Sequence, residues 1–403
     1  MTDADDDAPT GPLPVTPGEL FQRFRDAAPR TRAEVARSTG LGRAAASARI
    51  DALVADGLLA PGAAATSTGG RPPRTLRFRR EAGAVLAIDL GARHASVAVC
   101  DLAGEPLATR ALDIDIAAGP AACLGRALDA ARGLLAETPY GVGDVWGAGI
   151  GIPGPVAHST GRPVNPPIMP GWDQHDIPGD VAQRWSEDAL TADMVLVDND
   201  VNLLALGEQV ARASDTADLV YVKVATGIGA GIIAGGALQR GALGSAGDLG
   251  HIHVQLPDTA LTRAGEDREL EDVASGAALA RALRERGVKA ETSADAIRLV
   301  AAGDRTAVEL ARDAGRIVGE AVAIVVNLLG PSLVVVGGSL GRASDHLIAG
   351  IREVVYRRSI PLATQHLAIE PSVAGAAGGV RGAAVMILDH VLAAERIDRR
   401  LAR

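Results

Sequence analysis

One design occurs twice in this chain, and it restricts the fold more than any other feature of the sequence. Residues 84–101 read as an apolar strand (Val85, Leu86, Ala87, Ile88), a turn at Asp89-Leu90-Gly91-Ala92 and a second strand from Ser96 to Cys100. Residues 219–235 repeat it, with strand Leu219 to Val224, turn Thr226-Gly227-Ile228-Gly229 and strand Ala230 to Ala234. Two glycine-tipped hairpins about half the body apart predict a duplicated lobe with a cleft between the copies. Glycine at such tips lets backbone amides approach a phosphate closely, which marks Gly91, Thr226, Gly227 and Gly229 as candidate phosphate-loop residues. Taken singly, each glycine reads first as a hairpin turn.

Between the hairpins, Met194 to Val197 reads as a short buried strand delivering Asp198, Asn199, Asp200 and Asn202 at its carboxyl end, followed by a helix from Val201 to about Ala213. Polar groups at that end of a strand face the cleft in open α/β folds. Asp200 there suits a general base acting on a sugar hydroxyl, and an Asp or Asn at the same spot equally suits a helix N-cap. Gly244-Ser245-Ala246-Gly247-Asp248-Leu249-Gly250-His251 is a glycine-rich loop that enters a strand expected from His251 to Val254. Asp248 and His251 among its glycines suit polyol recognition. Ala307 to Leu329 then reads as a long apolar helix, Leu333 to Val336 as a buried strand ending at Gly337-Gly338, and 379–396 as a closing helix. The alternation argues for an α/β body of two lobes, about 81–213 and 214–378.

The charge distribution separates this body from a small head. Residues 17–80 carry twelve arginines and no lysine against five acidic residues, a balance of +7, whereas the chain as a whole carries -9. From Pro17, Leu20, Phe21 and Phe24 share a helical face; a second helix fits Thr31 to Ser38, stopped by Thr39-Gly40, and a third fits Arg43 to Asp56 with Ile50, Leu53 and Val54 inward. Leu58 to Ala60 and Thr75 to Phe78 pair as strands around Gly69-Gly70-Arg71-Pro72, completing a winged helix-turn-helix over 17–80. The third helix is expected in a major groove with Arg43, Ser47 and Arg49 on bases or phosphates, and Arg71 and Arg74 on the wing reaching the backbone or minor groove. A protein-interaction module with surface arginines fits the same pattern.

Other properties narrow the setting. Residues 1–16 begin with four aspartates and read as a disordered acidic tail, not as a basic and then apolar signal peptide. No apolar run reaches the roughly 18 residues of a membrane span. Two cysteines, Cys100 and Cys123, are too few for a disulfide framework or a four-cysteine zinc site. A soluble, cytoplasmic protein is expected. Lys223 and Lys289 are the only lysines, against 38 arginines, which reads as a genomic bias.

Several stretches together resemble the ROK family of repressors, uncharacterised reading frames and sugar kinases, over essentially the whole length. They are Asn199-Asp200-Val201-Asn202 with Gly207-Glu208, the loop Thr226 to Gly231, the loop Gly247 to His251, and Pro153-Gly154-Pro155 followed by Asn165 and Pro170-Gly171-Trp172. The resemblance implies an actin/hexokinase-type two-lobed body, and a winged head like that of repressors answering to xylose, glucose or N-acetylglucosamine. It further implies that Asn165, Asn199, Asp200, Asp248, His251 and Glu271 line a sugar pocket.

Departures from the family pattern bear on activity. Its kinases resemble Asp-x-Gly-Gly-Thr at the first phosphate loop, whereas Asp89-Leu90-Gly91 here is followed by Ala92, Arg93 and His94, which speaks against ATP use. The family zinc site takes a loop histidine and three cysteines; Thr262, Ala264 and Glu269 stand where the thiolates belong, so no zinc is expected, with His251, His253 and Glu269 the remaining alternative metal set. Asp248 replaces the usual glutamate, which suits a different sugar or a bridging water. Gly42, Ala44, Ala45 and Ala48 leave few base-edge donors on the third helix, shifting specificity toward shape and phosphate contacts. The leading expectation is a sugar-responsive transcriptional regulator without cofactor or catalytic residue, binding operator DNA and a sugar or sugar phosphate as a homodimer or dimer of dimers. The alternative is an ATP-dependent sugar kinase with a DNA-binding head, using Asp200 as base, Gly227, Gly229 and Gly231 around the phosphates, and Mg²⁺. A sugar sensor that binds another protein leaves the arginine-rich wing unexplained.

Overall fold

The computed structural model describes residues 15–62, 74–185, 190–212, 216–255, 261 and 267–402. Nearly all of the acidic tail, Arg71 of the wing, and Thr262 and Ala264 lie outside the described residues. The chain divides into two compact units, one comprising residues up to Ala84 with Asp101–Ala103 and Leu388 onward, the other Val85–Cys100 and Gly104–Ile387.

The first unit is nucleated by two capping boxes. Thr16 Oγ1 accepts from Glu19 N–H at 3.1 Å while the Glu19 carboxylate accepts from Thr16 N–H at 2.7 Å, opening α1 (Pro17–Phe21). Thr31 and Glu34 repeat the arrangement at α2 (Arg32–Thr39), which Gly40 ends at φ 69°. The third helix, α3 (Arg43–Ala55), turns Ala46, Ile50 and Leu53 inward onto Leu20, Phe21 and Phe24. The strands β1 (Arg30–Thr31), β2 (Leu59–Pro61) and β3 (Thr75–Phe78) form an antiparallel sheet of order β1-β3-β2, so the elements follow the winged-helix order with one short strand that periodicity did not announce. Phe21 meets Phe78 edge to face, 5.2 Å between ring centroids, fastening helix to sheet.

In the second unit β4 (Ala84–Leu90), β5 (His94–Asp101), β6 (Pro106–Asp113) and β7 (Val145–Ile152) lie in one sheet, each residue of β4 being buried. A two-stranded ribbon of β8 (Val156–Ala157) and β9 (Arg162–Pro163) precedes the last strand of that sheet, β10 (Val195–Asn199). A second sheet contains β11 (Leu219–Val224), β12 (Ile228–Ala234) and β13 (Ala237–Gln239). Beyond the ribbon of β14 (His253–Gln255) and β15 (Asp267–Glu269), β16 (Leu333–Gly337) and β17 (Ala368–Pro371) complete it. The orders, β6-β5-β4-β7-β10 and β13-β12-β11-β16-β17, are the same. In each, the last two strands are parallel neighbours on the side opposite the hairpin. The repeated hairpins therefore do begin a duplicated α/β lobe.

Helices cover the sheets: α4 (Pro120–Leu135), α5 (Ile177–Trp185) and α6 (Asp200–Ala211) in the first half, then α7 (Leu270–Ala274), α8 (Gly276–Glu285), α9 (Ser293–Ala301) and α10 (Arg305–Leu329). They are followed by α11 (Gly338–Ala343), α12 (Asp345–Arg358), α13 (Pro361–Thr364) and α14 (Gly378–Val391). Among the described residues, no single helix is long and apolar enough to cross a membrane.

The closing helix differs from expectation. It stops at Val391, and α15 (Ala394–Leu401) runs separately, with the residues from Leu388 onward packed in the first unit. Gln22 Nε2 donates to Leu392 O at 2.8 Å, taking a carbonyl that a continued helix would have used. Gly18 N–H donates to Asp398 Oδ1 at 2.7 Å, Arg400 Nε pairs with Asp56 at 2.9 Å, and Ile397 is fully buried. The last residues of the chain thus support both α1 and the end of α3. Asp398→Ala is expected to speed amide hydrogen exchange across 17–24 by about tenfold, the equivalent of one charge-assisted hydrogen bond, as read by exchange mass spectrometry.

Candidate functional site

The junction of β10 and α6 sets the site. Asn199 Oδ1 accepts from Val201 N–H at 2.9 Å and its Nδ2 donates to Gly154 O at 2.8 Å. Asn199 is thus the N-cap of α6, with its side chain oriented by these two backbone bonds. With the cap supplied by its neighbour, Asp200 stands at the first helical position, buried, where its carboxylate pairs with Lys223 Nζ from β11. Lys223 carries no sequence signal beyond its rarity.

Asp198 anchors the loops around this point. Its buried carboxylate accepts from Asn199 N–H at 2.8 Å, Asn202 Nδ2 at 2.7 Å and Arg240 Nε at 2.6 Å, with His158 Nδ1 at 3.6 Å. Arg240 opens the glycine-rich loop and His158 belongs to the loop between β8 and β9, so one carboxylate holds three segments. A separation of 42 residues between Asp198 and Arg240 leaves no local pattern from which to read the pair.

The glycine-rich loop lies against β12, with Ala230 N–H donating to Gly247 O at 2.7 Å. Its end, Leu249–His251, is a 3₁₀ turn, so His251 precedes β14 instead of starting it. Asp248 is exposed and its side chain caps nothing. His251 Nδ1 meets Glu269 Oε2 at 2.9 Å, and the carboxylate raises the imidazole pKa above its usual value. His253 Nδ1 meets Asp267 at 2.8 Å, so one imidazole–carboxylate pair lies across the β14–β15 ribbon and the other just before it. Glu271 Oε2 accepts from Ile228 N–H at 2.8 Å and lies where a Cβ on Gly227 would overlap it, 3.2 Å from the corresponding position on Gly250. Glu271 thereby joins the second hairpin tip to the glycine-rich loop. Asn165 is exposed at φ 44°, with its N–H on Asp173 Oδ1 at 2.8 Å, and among the described residues its side chain makes no hydrogen bond to those above.

At each hairpin tip a glycine makes room for a neighbouring side chain. At Gly91 the missing Cβ makes room for the His94 ring, 2.8 Å from Nδ1 and 2.9 Å from Nε2 to the absent atom. Gly227 makes room for Glu271, and Gly231 for Val201 and Ala205 of α6, while Gly229 has only ordinary contact with Val201 at 3.5 Å. Thr226 is exposed at the tip. Asp89, which the sequence offered only as a turn residue, is buried, its pKa pushed up to about 7 by burial and by the Asp200 charge, against the pull of Lys223.

On α3, Arg43 is exposed at the first helical position, and Arg74 is exposed before β3. Ser47 Oγ accepts from Arg32 Nη1 at 2.8 Å, and Arg49 donates to Val15 O at 2.6 Å and Ala45 O at 3.0 Å. Both are half-buried on the flanks of the helix, each with an internal partner. Ala44, Ala48 and Asp51 share the exposed face with Arg43.

The profile of the ROK family matches residues 85–390. A xylose repressor of Caldicellulosiruptor bescii is 26% identical over 376 residues, covering 90% of this chain and 92% of the relative. A glucokinase of Thermotoga maritima is 31% identical, covering 63% of this chain and 81% of that enzyme. Among solved structures, a ROK family transcriptional regulator homologous to the E. coli MLC protein superposes with a TM-score of 0.77 at 23% identity, covering 96% of this chain and 99% of that one. A ROK family glucokinase from Streptomyces griseus, in complex with glucose and AMPPNP, gives 0.60 at 28% identity, covering 75% and 99%.

Removing the cation from a buried pair strands its partner. Arg240→Ala is expected to cost about 3 kcal/mol, read as a lowered urea midpoint, and to loosen the 241–251 loop in hydrogen exchange, with Arg240→Lys recovering part of the loss.

Proposed function

Because the chain belongs to the ROK family, we propose that it is a sugar-responsive, DNA-binding repressor of genes for carbohydrate use, working in the cytoplasm. The observation that carries this reading is the extent of the repressor likeness. Similarity to the xylose repressor runs through head and body alike, over 90% of the chain, whereas the glucokinase likeness covers 63%. The arginine-rich head supplies the operator contacts through Arg43 and the wing residues Arg71 and Arg74. Two copies present two third helices to the half-sites of a palindrome.

The effector is a sugar held by convergent polar groups. Asp200 and Asp248 accept hydrogen bonds from ring hydroxyls. His251 offers Nε2, since Nδ1 faces Glu269. Glu271 orders the two loops and offers its second oxygen. Sugar changes operator affinity to the degree that it binds one conformation of the dimer better than the other. Transfer of a phosphoryl group is not part of this reading, because Asp200 is engaged by Lys223 and the His94 ring fills the first turn.

Purified full-length protein is expected to retain specific fragments from genomic DNA, with one sugar of a broad panel changing what is retained. Arg71→Ala and Arg74→Ala should each weaken operator binding and lower the slope of log affinity against log salt by about one. The same sugar at 100 times its Kd should add about 2.7 kcal/mol to stability, an increment that Asp200→Ala removes. No retained DNA at low salt, or repeated ATP-dependent turnover of a sugar, contradicts the proposal.

We also propose that this chain holds no zinc, the His251 and His253 imidazoles facing carboxylates instead of thiolate partners. Elemental analysis should find well under one zinc per chain, and chelator should leave the melting temperature unchanged. A stoichiometric zinc content contradicts this assignment.

A further inference from the structure

Kinases of this family, as the sequence resemblance implies, work on Mg-ATP, and the residues of this chain do not fit that group. Asp89 and the start of α6 flank Gly151, where a Cβ would stand 3.3 Å from Asp89 Oδ1 and 3.6 Å from the α-carbon of Asp200, and the Asp200 charge is felt at Asp89. Two buried acids in one neighbourhood are relieved by a proton on one of them or by a nearby cation. The cation present belongs to the chain itself. Lys223 reaches from β11 to Asp200 Oδ2 and acts electrostatically on Asp89 and His94 as well.

The choice of lysine is informative. The chain has 38 arginines and two lysines, and elsewhere it pairs its carboxylates with arginine, as at Asp198–Arg240 and Glu208–Arg212. At this position the compact, three-donor ammonium is used instead of the broader planar guanidinium. Its side chain is largely buried, 22% exposed, against 8% for Asp200. The His94 ring closes the adjacent turn, and burial together with the Lys223 charge lowers the imidazole pKa, so this ring adds no second cation.

We propose that Lys223 is a built-in counter-cation for the Asp89–Asp200 pair, occupying the charge slot a divalent metal would otherwise fill and leaving Asp200 as a hydrogen-bond acceptor for a sugar hydroxyl. The pocket is then independent of metal and nucleotide. The sugar in this statement rests on the function proposed above; the exclusion of metal does not.

The test uses Mn²⁺ alone, followed by electron paramagnetic resonance on the full-length chain, with neither sugar nor DNA present. Wild type should show no Mn²⁺ binding that Asp89→Asn removes. Lys223→Ser should bind Mn²⁺ at least about tenfold more tightly than wild type, because two buried carboxylates then lack a partner. Lys223→Ser/Asp89→Asn should lose that gain. Where circular dichroism finds Lys223→Ser unfolded, Lys223→Gln, which keeps the length and removes the charge, takes its place. Lys223→Arg, which keeps the charge, should not gain metal. Asp89-dependent Mn²⁺ binding by wild type, or uncharged variants that fold and gain none, would overturn the proposal. Failure to find a sugar that acts on DNA would sink the repressor reading while leaving this result intact.

Discussion

The backbones of α6 and α14 touch. A Cβ on Gly207 would overlap the Gly378 carbonyl, and one on Gly382 would overlap Leu203 O, so glycines on both helices permit a crossing closer than side chains allow. Everything at the site hangs from the first of these helices. On one side α6 buries Val201 and Ala205 with Tyr221 and Ile233 of the second sheet, and at its start it continues directly from β10 of the first. It therefore joins the two lobes while presenting Asp200 and Asn202. Near its end Glu208, fully buried, accepts from Arg212, Ser372 Oγ, Val373 N–H and Ala374 N–H, fixing the turn that leads into α14. Burial opposes its charge, yet these donors outweigh burial and hold its carboxyl below the usual range.

The charges in the cleft then decide between holding and transforming a ligand. Asp200 keeps one oxygen on the Lys223 ammonium, which leaves the other oxygen as an acceptor for a hydroxyl. At the first turn the His94 imidazole fills the space where a Cβ on Gly91 would stand. What remains is a set of acceptors and one imidazole nitrogen on loops that Asp198 and Glu271 hold in register. That set suits recognition of hydroxyls, and with an arginine-rich head on the same chain it suits a switch.

The fold was legible because its signals are local. Short apolar runs with glycine at the turn announced both hairpins, and the shared strand order follows from that repetition. Capping pairs three residues apart, Thr16 with Glu19 and Thr31 with Glu34, are just as local, but it was the apolar periodicity that announced these helices. The site was legible in part. Asp200 could be read as base or cap, and a one-residue offset decides the matter, since Asn199 takes the cap and releases Asp200 toward Lys223. Contacts across long separations left no such trace: Arg240 with Asp198, Glu271 with Ile228, and Asp398 with Gly18 across 380 residues. Composition even misled, because the rarity of lysine drew attention away from the one that lies in the cleft. Ser47 and Arg49 matched a recognition-helix pattern, but Arg32, Val15 and Ala45 of the head engage them.

The central claim is that the sugar pocket and the operator surface are coupled through this one chain. Coupling of two equilibria is reciprocal, so its size can be measured from either end. Operator affinity with and without saturating sugar gives one factor; sugar affinity with and without saturating operator, at the same salt and without metal or nucleotide, gives another. On this claim a common factor different from one is expected. Two factors of one, or a factor that arises only when Mg-ATP is supplied, would contradict it.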